Sequence, residues 1–186
     1  MSPRRQTPLT HEYILLGYLY HTPMHGYDLY KALQGSGSTP LIWSLKQSHL
    51  YALLDKMEKE GLLEMNVIPG ETRPDRQQYH LSPAGQECFL SWVSSPVEHP
   101  RDMRQDFLGR LYFARRLGGD TALRLIDQQN QRCQEWQNGM CAQEAAFDEG
   151  QDYERLVFRF RILQVQGMLD WLDECRRALA PAEDTP

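Results

Sequence analysis

Four adjacent polar residues, from Lys46 to His49, open a predicted helix and carry the groups that nucleic-acid recognition requires. A side-chain amide pairs with an adenine edge, a hydroxyl serves several bases, and an ammonium group neutralises phosphate. Two further side chains with suitable chemistry follow within three helical turns. The candidate contacts on this segment are Lys46, Gln47, Ser48, His49, Tyr51 and Lys56.

Two arginines form a second candidate group in the turn-rich stretch at 69–75 and just beyond it. An arginine at a hairpin tip enters the minor groove or binds phosphate, where the potential is most negative. The alternative is a solvated arginine that pairs with Glu71 or Asp75 and contributes little. We expect the DNA role for Arg73, and both interpretations stay open for Arg76.

The elements that position these groups follow from hydrophobic periodicity. Three helices are predicted first, and the third has apolar residues at Leu50, Leu53, Leu54 and Met57, the spacing of one buried helical face. Ser44 and Gln47 have the spacing of a capping box, which predicts the start of that helix. Alternation with a period of two then predicts a two-stranded hairpin over 63–67 and 77–81.

A fourth helix is expected from Ser82-Pro83, an N-cap followed by proline at the first helical position. The order helix, helix, helix, hairpin, helix is that of a winged helix-turn-helix. We therefore predict a mainly α protein whose residues 1–95 form a winged helix-turn-helix DNA-binding domain with a two-stranded β wing.

Residues 96–186 are predicted to form a helical domain with helices near 102–117, 120–149 and 153–179. The last helix is apolar on two faces, so it needs two partners. We expect a second subunit to pack against one of these faces, which predicts a homodimer. The alternative is that the winged domain packs against it. The proposed dimerisation residues are Phe158, Ile162, Val165, Leu169 and Leu172.

Large apolar side chains in both domains suggest either a small-molecule effector pocket or ordinary packing. Aromatic residues dominate protein cores, so core and dimer packing is the preferred interpretation. The candidate pocket residues are Trp92, Trp136, Met140, Met168 and Trp171.

Composition excludes several classes of protein. No apolar run approaches the length of a membrane span, and the basic N-terminus lacks the features of a signal peptide, so we expect a cytoplasmic protein. The four cysteines have no paired spacing, Pro23 interrupts the His21 and His25 pair, and no catalytic motif is present. We therefore expect no metal, no cofactor and no enzymatic activity.

The net charge of −5 is unusual for a DNA-binding protein. Most of the negative excess lies after residue 95, because residues 1–95 hold 8 basic and 9 acidic side chains while 96–186 hold 12 and 16. DNA binding by the first domain would therefore depend on a local cationic patch. The competing interpretation is a winged-helix module that binds another protein and not DNA.

Several segments in this order resemble the PadR family of transcriptional regulators, namely 9–19, 23–29, 48–54, 57–63, 73–76 and 79–85. His49 stands where that family usually has Gln, and no glycine directly precedes Arg73. The resemblance implies a repressor that binds a palindromic operator as a homodimer through C-terminal helices. Some members of the family sense aromatic or cationic small molecules, so the resemblance also permits release by such an effector.

Overall fold

Backbone hydrogen bonds form helices and strands in the order that the hydrophobic periodicity predicts, with a β hairpin between helical segments. The structure is a computed structural model that describes residues 10–35, 43, 45–68 and 76–180. The chain divides into two compact units, Met1–Val93 and Ser94–Pro186. The predicted fold class is confirmed, because the described residues form a mainly helical protein with one small antiparallel sheet.

The described residues of the first unit form four helices and three strands. They are α1 (Thr10–His21), β1 (Met24–His25), α2 (Gly26–Gln34), α3 (Gln47–Lys59), β2 (Leu63–Ile68), β3 (Arg76–Leu81) and α4 (Pro83–Val93).

The sheet has one strand more than the two-stranded wing that alternation predicts. Its order is β1-β3-β2, with β3 antiparallel to both neighbours. The short β1 lies between α1 and α2, where the periodicity predicts no strand, and Met24 pairs with Tyr79. The His25 ring reinforces this pairing, because its Nδ1 lies 3.0 Å from the carbonyl oxygen of Gln77.

The start of α3 differs from the predicted capping box. The helix begins at Gln47, with Lys46 as its N-cap and no side-chain cap hydrogen bond. Gln47 is therefore the first helical residue and not the third, which corrects the predicted role of its side chain. Ser44 lies outside the described residues.

The start of α4 confirms the predicted Ser-Pro cap. Ser82 Oγ accepts a hydrogen bond from the Gly85 amide at 3.0 Å and donates one to the Gly61 carbonyl at 2.6 Å. Gly85 packs directly on the chain that follows α3, since a Cβ there would lie 2.0 Å from the Leu62 carbonyl oxygen. Only glycine permits this approach of the helix to the backbone.

The second unit begins with a 3₁₀ helix at Pro100–Arg104, followed by α5 (Asp106–Leu117), α6 (Gly119–Ala145) and α7 (Asp152–Leu179). The buried Gln129 side chain accepts a hydrogen bond from the Val97 amide at 2.7 Å, which ties the entry segment to α6. Among the described residues, no helix has both the length and the apolar character needed to cross a bilayer.

The apolar side of α7 that we assigned to a second subunit is largely used inside the chain. Val165, Leu169 and Leu172 are buried in the single chain, where α7 packs along α6. These three side chains are taken up by packing within the chain, and their assignment to a dimer interface stays a prediction. Phe158 packs edge-on against Phe147 with ring centroids 5.1 Å apart.

The opposite side of α7 carries large apolar residues that are exposed in the chain. We call this set the α7 stripe. Its members are Tyr153, Leu156, Phe160 and Leu163. They step by 3, 4 and 3 residues and therefore share one helical face.

Candidate nucleic-acid interface

The first turn of α3 presents the predicted recognition side chains to solvent. Lys46, Gln47, Ser48 and His49 are all exposed. The opposite face of α3 is fully occupied by the core through Leu50, Leu53, Leu54 and Met57. The chain that leads into α3 is held by Gln34, whose Nε2 donates to the Leu45 carbonyl at 3.2 Å.

His49 lies beside a second imidazole at this end of α3. Its ring centroid is 6.1 Å from that of His11 on α1. Burial is the main cause that lowers the pKa of His11, and the neighbouring His49 lowers it further while Glu12 opposes the shift. His11 consequently favours the neutral form beside the exposed His49.

Lys56 occupies a different position from the one expected of a phosphate contact. Its Nζ lies 2.7 Å from Glu12 Oε1, and Glu12 is completely buried. A longer ion pair of 3.7 Å joins Lys56 to Glu60. The hydrogen bond to Glu12 is the main cause that raises the pKa of Lys56. This pairing directs the ammonium group at α1, and the DNA contact of Lys56 stays a prediction.

A cleft of about 700 Å³ separates the start of α2, the exposed side of α3 and the base of the wing. Tyr27 comes from α2, Tyr51 from α3, Val67 from β2, and Arg76 and Tyr79 from β3. The cleft therefore combines a guanidinium group, the Asp28 carboxylate, phenolic hydroxyls and apolar surface. Within this lining Arg76 is the group that suits a phosphate, whereas Asp28 would repel one.

The structure brings Tyr51 and Arg76 to this cleft, beside the recognition turn of α3. Arg76 is exposed at the first position of β3. Arg73 lies outside the described residues. Burial is the main cause that raises the pKa of Tyr79, whose hydroxyl is 3.2 Å from Gln77 Oε1. Tyr79 therefore forms the protonated floor of the cleft at neutral pH.

Sequence reasoning missed Gly26 and Tyr27, which also line the cleft. Tyr27 is 52% exposed, and the Lys31 ammonium lies 4.6 Å from its ring centroid. The sequence signal was only the Gly26-Tyr27 pair at the start of a predicted helix, because the exposure of Tyr27 is visible in the structure alone.

The candidate effector residues lie in two different units and have packing roles within them. In the first unit, Trp92 is buried and stacks on Tyr13 with centroids 4.9 Å apart and an interplanar angle of 4°. In the second unit, Trp171 meets Phe107 edge-on at 6.0 Å. Trp136, Met140 and Met168 are half-buried on α6 and α7. Effector binding by these residues stays a prediction.

Three helices, a β wing and a fourth helix, with a polar turn exposed on α3, define the winged helix-turn-helix class of protein. Two family profiles match the chain. Residues 15–90 match the Transcriptional regulator PadR-like family, and residues 103–180 match the Virulence activator alpha C-term family. The first unit is thus a PadR-like transcriptional-regulator domain.

The sequence identities between this chain and individual relatives are low. The chain is 26% identical over 126 residues to the Negative transcriptional regulator PadR of Bacillus subtilis (strain 168), a match that spans 66% of each protein. A crystal structure of Bacillus subtilis PadR in complex with operator DNA covers 92% of this chain and 99% of that one, at 20% identity and a TM-score of 0.46. A PadR-like regulator from Bacillus cereus covers 94% and 98%, at 20% identity and a TM-score of 0.43.

Proposed function

We propose that this protein is a sequence-specific transcriptional repressor that binds double-stranded DNA as a homodimer. The observation that carries the proposal is the exposed first turn of α3, where four adjacent side chains suited to DNA recognition face solvent. In a winged helix-turn-helix, this end of the recognition helix enters the major groove. The PadR-like domain supports regulation of transcription, and the relative named as a negative regulator supports repression.

In the proposed mechanism, one set of residues positions the protein on the DNA backbone and another set recognises the bases. Lys46 and Arg76 neutralise phosphates, and Gln47, Ser48 and His49 read base edges in the major groove. Arg73 extends the wing contact in this proposal. Because the whole chain carries a net charge of −5, binding depends on this local surface and not on the overall field of the protein.

A second subunit is the proposed cover for the α7 stripe. All four of its residues are more than 60% exposed in the chain. A contiguous apolar helical face of this kind marks an interaction site, and the most frequent assembly is a two-fold homodimer. Two recognition helices related by this symmetry fit a palindromic operator in the cytoplasm, where the chromosome is accessible. Release by an aromatic or cationic effector completes the proposal.

DNA binding is tested by selection from genomic fragments, followed by fluorescence anisotropy on the recovered site across a salt series. We expect a palindrome, and an affinity that falls steeply as salt rises. Arg76→Ala should weaken binding to every duplex and reduce the salt slope by about one. Arg177→Ala is the matched control, because it removes an exposed arginine from the end of α7.

Failure to enrich any fragment at low salt contradicts the proposal. That result would favour the second candidate, a winged-helix module that binds a protein, for which the acidic balance of the chain is the supporting observation.

The dimer proposal has its own test in sedimentation at micromolar concentration. Phe160→Glu places a charge in the α7 stripe and should produce monomers, since an unpaired charge is costly to bury. Gln143→Glu adds the same charge at an exposed position on α6 and should leave the dimer intact. A Phe160→Glu protein that stays dimeric would place the interface elsewhere.

A further inference from the structure

We infer that Gly26 is a positioning residue for DNA binding, because its bare α-carbon sets the place of the Tyr51 ring in the cleft. This inference rests on the proposed function and deepens it by naming what orients one wall of the interface. Gly26 is the first residue of α2, and Tyr51 lies in the second turn of α3. The two helices therefore meet at this contact.

The geometry of the contact leaves no room for a side chain. A Cβ on Gly26 would lie 2.6 Å from Tyr51 Cε1 and 3.2 Å from both Cζ and the phenolic oxygen. Contacts below about 3.0 Å are not sustained between carbon atoms, which prefer separations of 3.5–4.0 Å. The α2 backbone thus supports the edge of the ring along its hydroxyl end.

The atoms that would obstruct an added Cβ show which part of the molecule would move. At Gly85 the obstructing atom is a backbone oxygen, so the fold itself requires that glycine. At Gly26 the obstructing atoms belong to a side chain that is 40% exposed and has free space in the cleft. A methyl group at Gly26 would therefore displace the Tyr51 ring and leave the helices in place.

Displacement of this ring has a direct consequence for the cleft. Tyr51 follows the recognition turn on α3 and lines the same cleft as Arg76, and the proposed mechanism uses both that turn and Arg76. A ring pushed from the α2 backbone would move into the space that a DNA backbone needs. Gly26 therefore acts through Tyr51, and Tyr51 is the residue that would contact the DNA backbone.

The test is a double-mutant cycle with Gly26→Ala, Tyr51→Ala and the double variant, measured by anisotropy on the selected operator duplex. Gly26→Ala alone should weaken binding by about fivefold or more, because the displaced ring would occupy space that the DNA backbone needs. In the Tyr51→Ala background the same change should alter affinity by less than about twofold, since the ring is gone. Equal losses in both backgrounds would overturn the inference, because the methyl group would then obstruct DNA itself.

A measurement without DNA separates this inference from the proposed function. The ¹⁹F resonance of 3-fluorotyrosine at position 51 should shift in Gly26→Ala. It should not shift in Gly139→Ala, where a Cβ meets nothing within 4 Å. An unshifted resonance in Gly26→Ala would overturn the inference whatever the affinity. If the wild-type protein binds no duplex, the proposed function fails, and the resonance still decides whether Gly26 positions the ring.

Discussion

Replacement of Lys56 by Met tests whether this lysine serves the fold or DNA. The change removes the ammonium group 2.7 Å from Glu12, whose side chain is completely buried, and keeps most of the aliphatic stem. Breaking a fully buried ion pair costs about 3–5 kcal/mol. Because Lys56 is 35% exposed, solvent screens the pair, and we expect a loss of about 1–3 kcal/mol in the free energy of unfolding.

The assay is urea denaturation at pH 7, with Lys59→Met as the matched control. Lys59 lies on the same helix and pairs with Asp55 at 2.6 Å, but its side chain is 72% exposed, so its removal should cost less than about 0.5 kcal/mol. A raised lysine pKa stabilises the fold fully below the unfolded value of 10.5, and this contribution disappears as pH rises through the folded value. The neutral-pH measurement therefore captures the whole effect.

DNA binding by the same variants completes the test. If Lys56 serves the fold, the salt slope of the Lys56→Met protein should equal that of the wild type. The reasoning is refuted if Lys56→Met and Lys59→Met are equally stable and only Lys56→Met reduces the slope.

Two further predictions concern the first unit. Gly85→Ala should cost about 3 kcal/mol or more in urea denaturation, because its Cβ would overlap the Leu62 carbonyl oxygen; wild-type stability would show that α4 can shift without loss. The lowered pKa of His11 means that the unfolded chain binds more protons below pH 6.5, so stability should fall as pH drops from 6.5 toward the folded value. The slope attributable to His11 should approach at most about 1.4 kcal/mol per pH unit and disappear in His11→Asn, whereas an unchanged slope in that variant would assign the effect to other groups.

The helices and strands could be predicted from the sequence wherever the signal is the spacing of nearby residues. Leu50, Leu53 and Leu54 have the spacing of a buried face, and all three are buried. The Ser82 cap is also a local feature, since its partner Gly85 is three residues away. In each case the information lies within one or two helical turns.

Features that depend on distant segments were not predictable in the same way. The third strand forms because Met24 meets Tyr79, and Lys56 forms an ion pair with Glu12 from a distant part of the sequence. Both faces of α7 carry apolar residues at helical spacing, so the sequence alone did not show which of them is buried. Only the packing of α6 distinguishes the buried face, with Val165, from the exposed α7 stripe.

The division of α3 into a buried and an exposed face has a consequence for how such a regulator diversifies. The positions that support the core, such as Leu50 and Met57, are separate from the exposed positions Gln47, Ser48 and His49. Surface substitutions away from structural contacts usually change stability by less than about 0.5 kcal/mol. Under the proposed function, in which these three positions read base edges, duplicated copies of the gene could drift to new operators while the scaffold is retained.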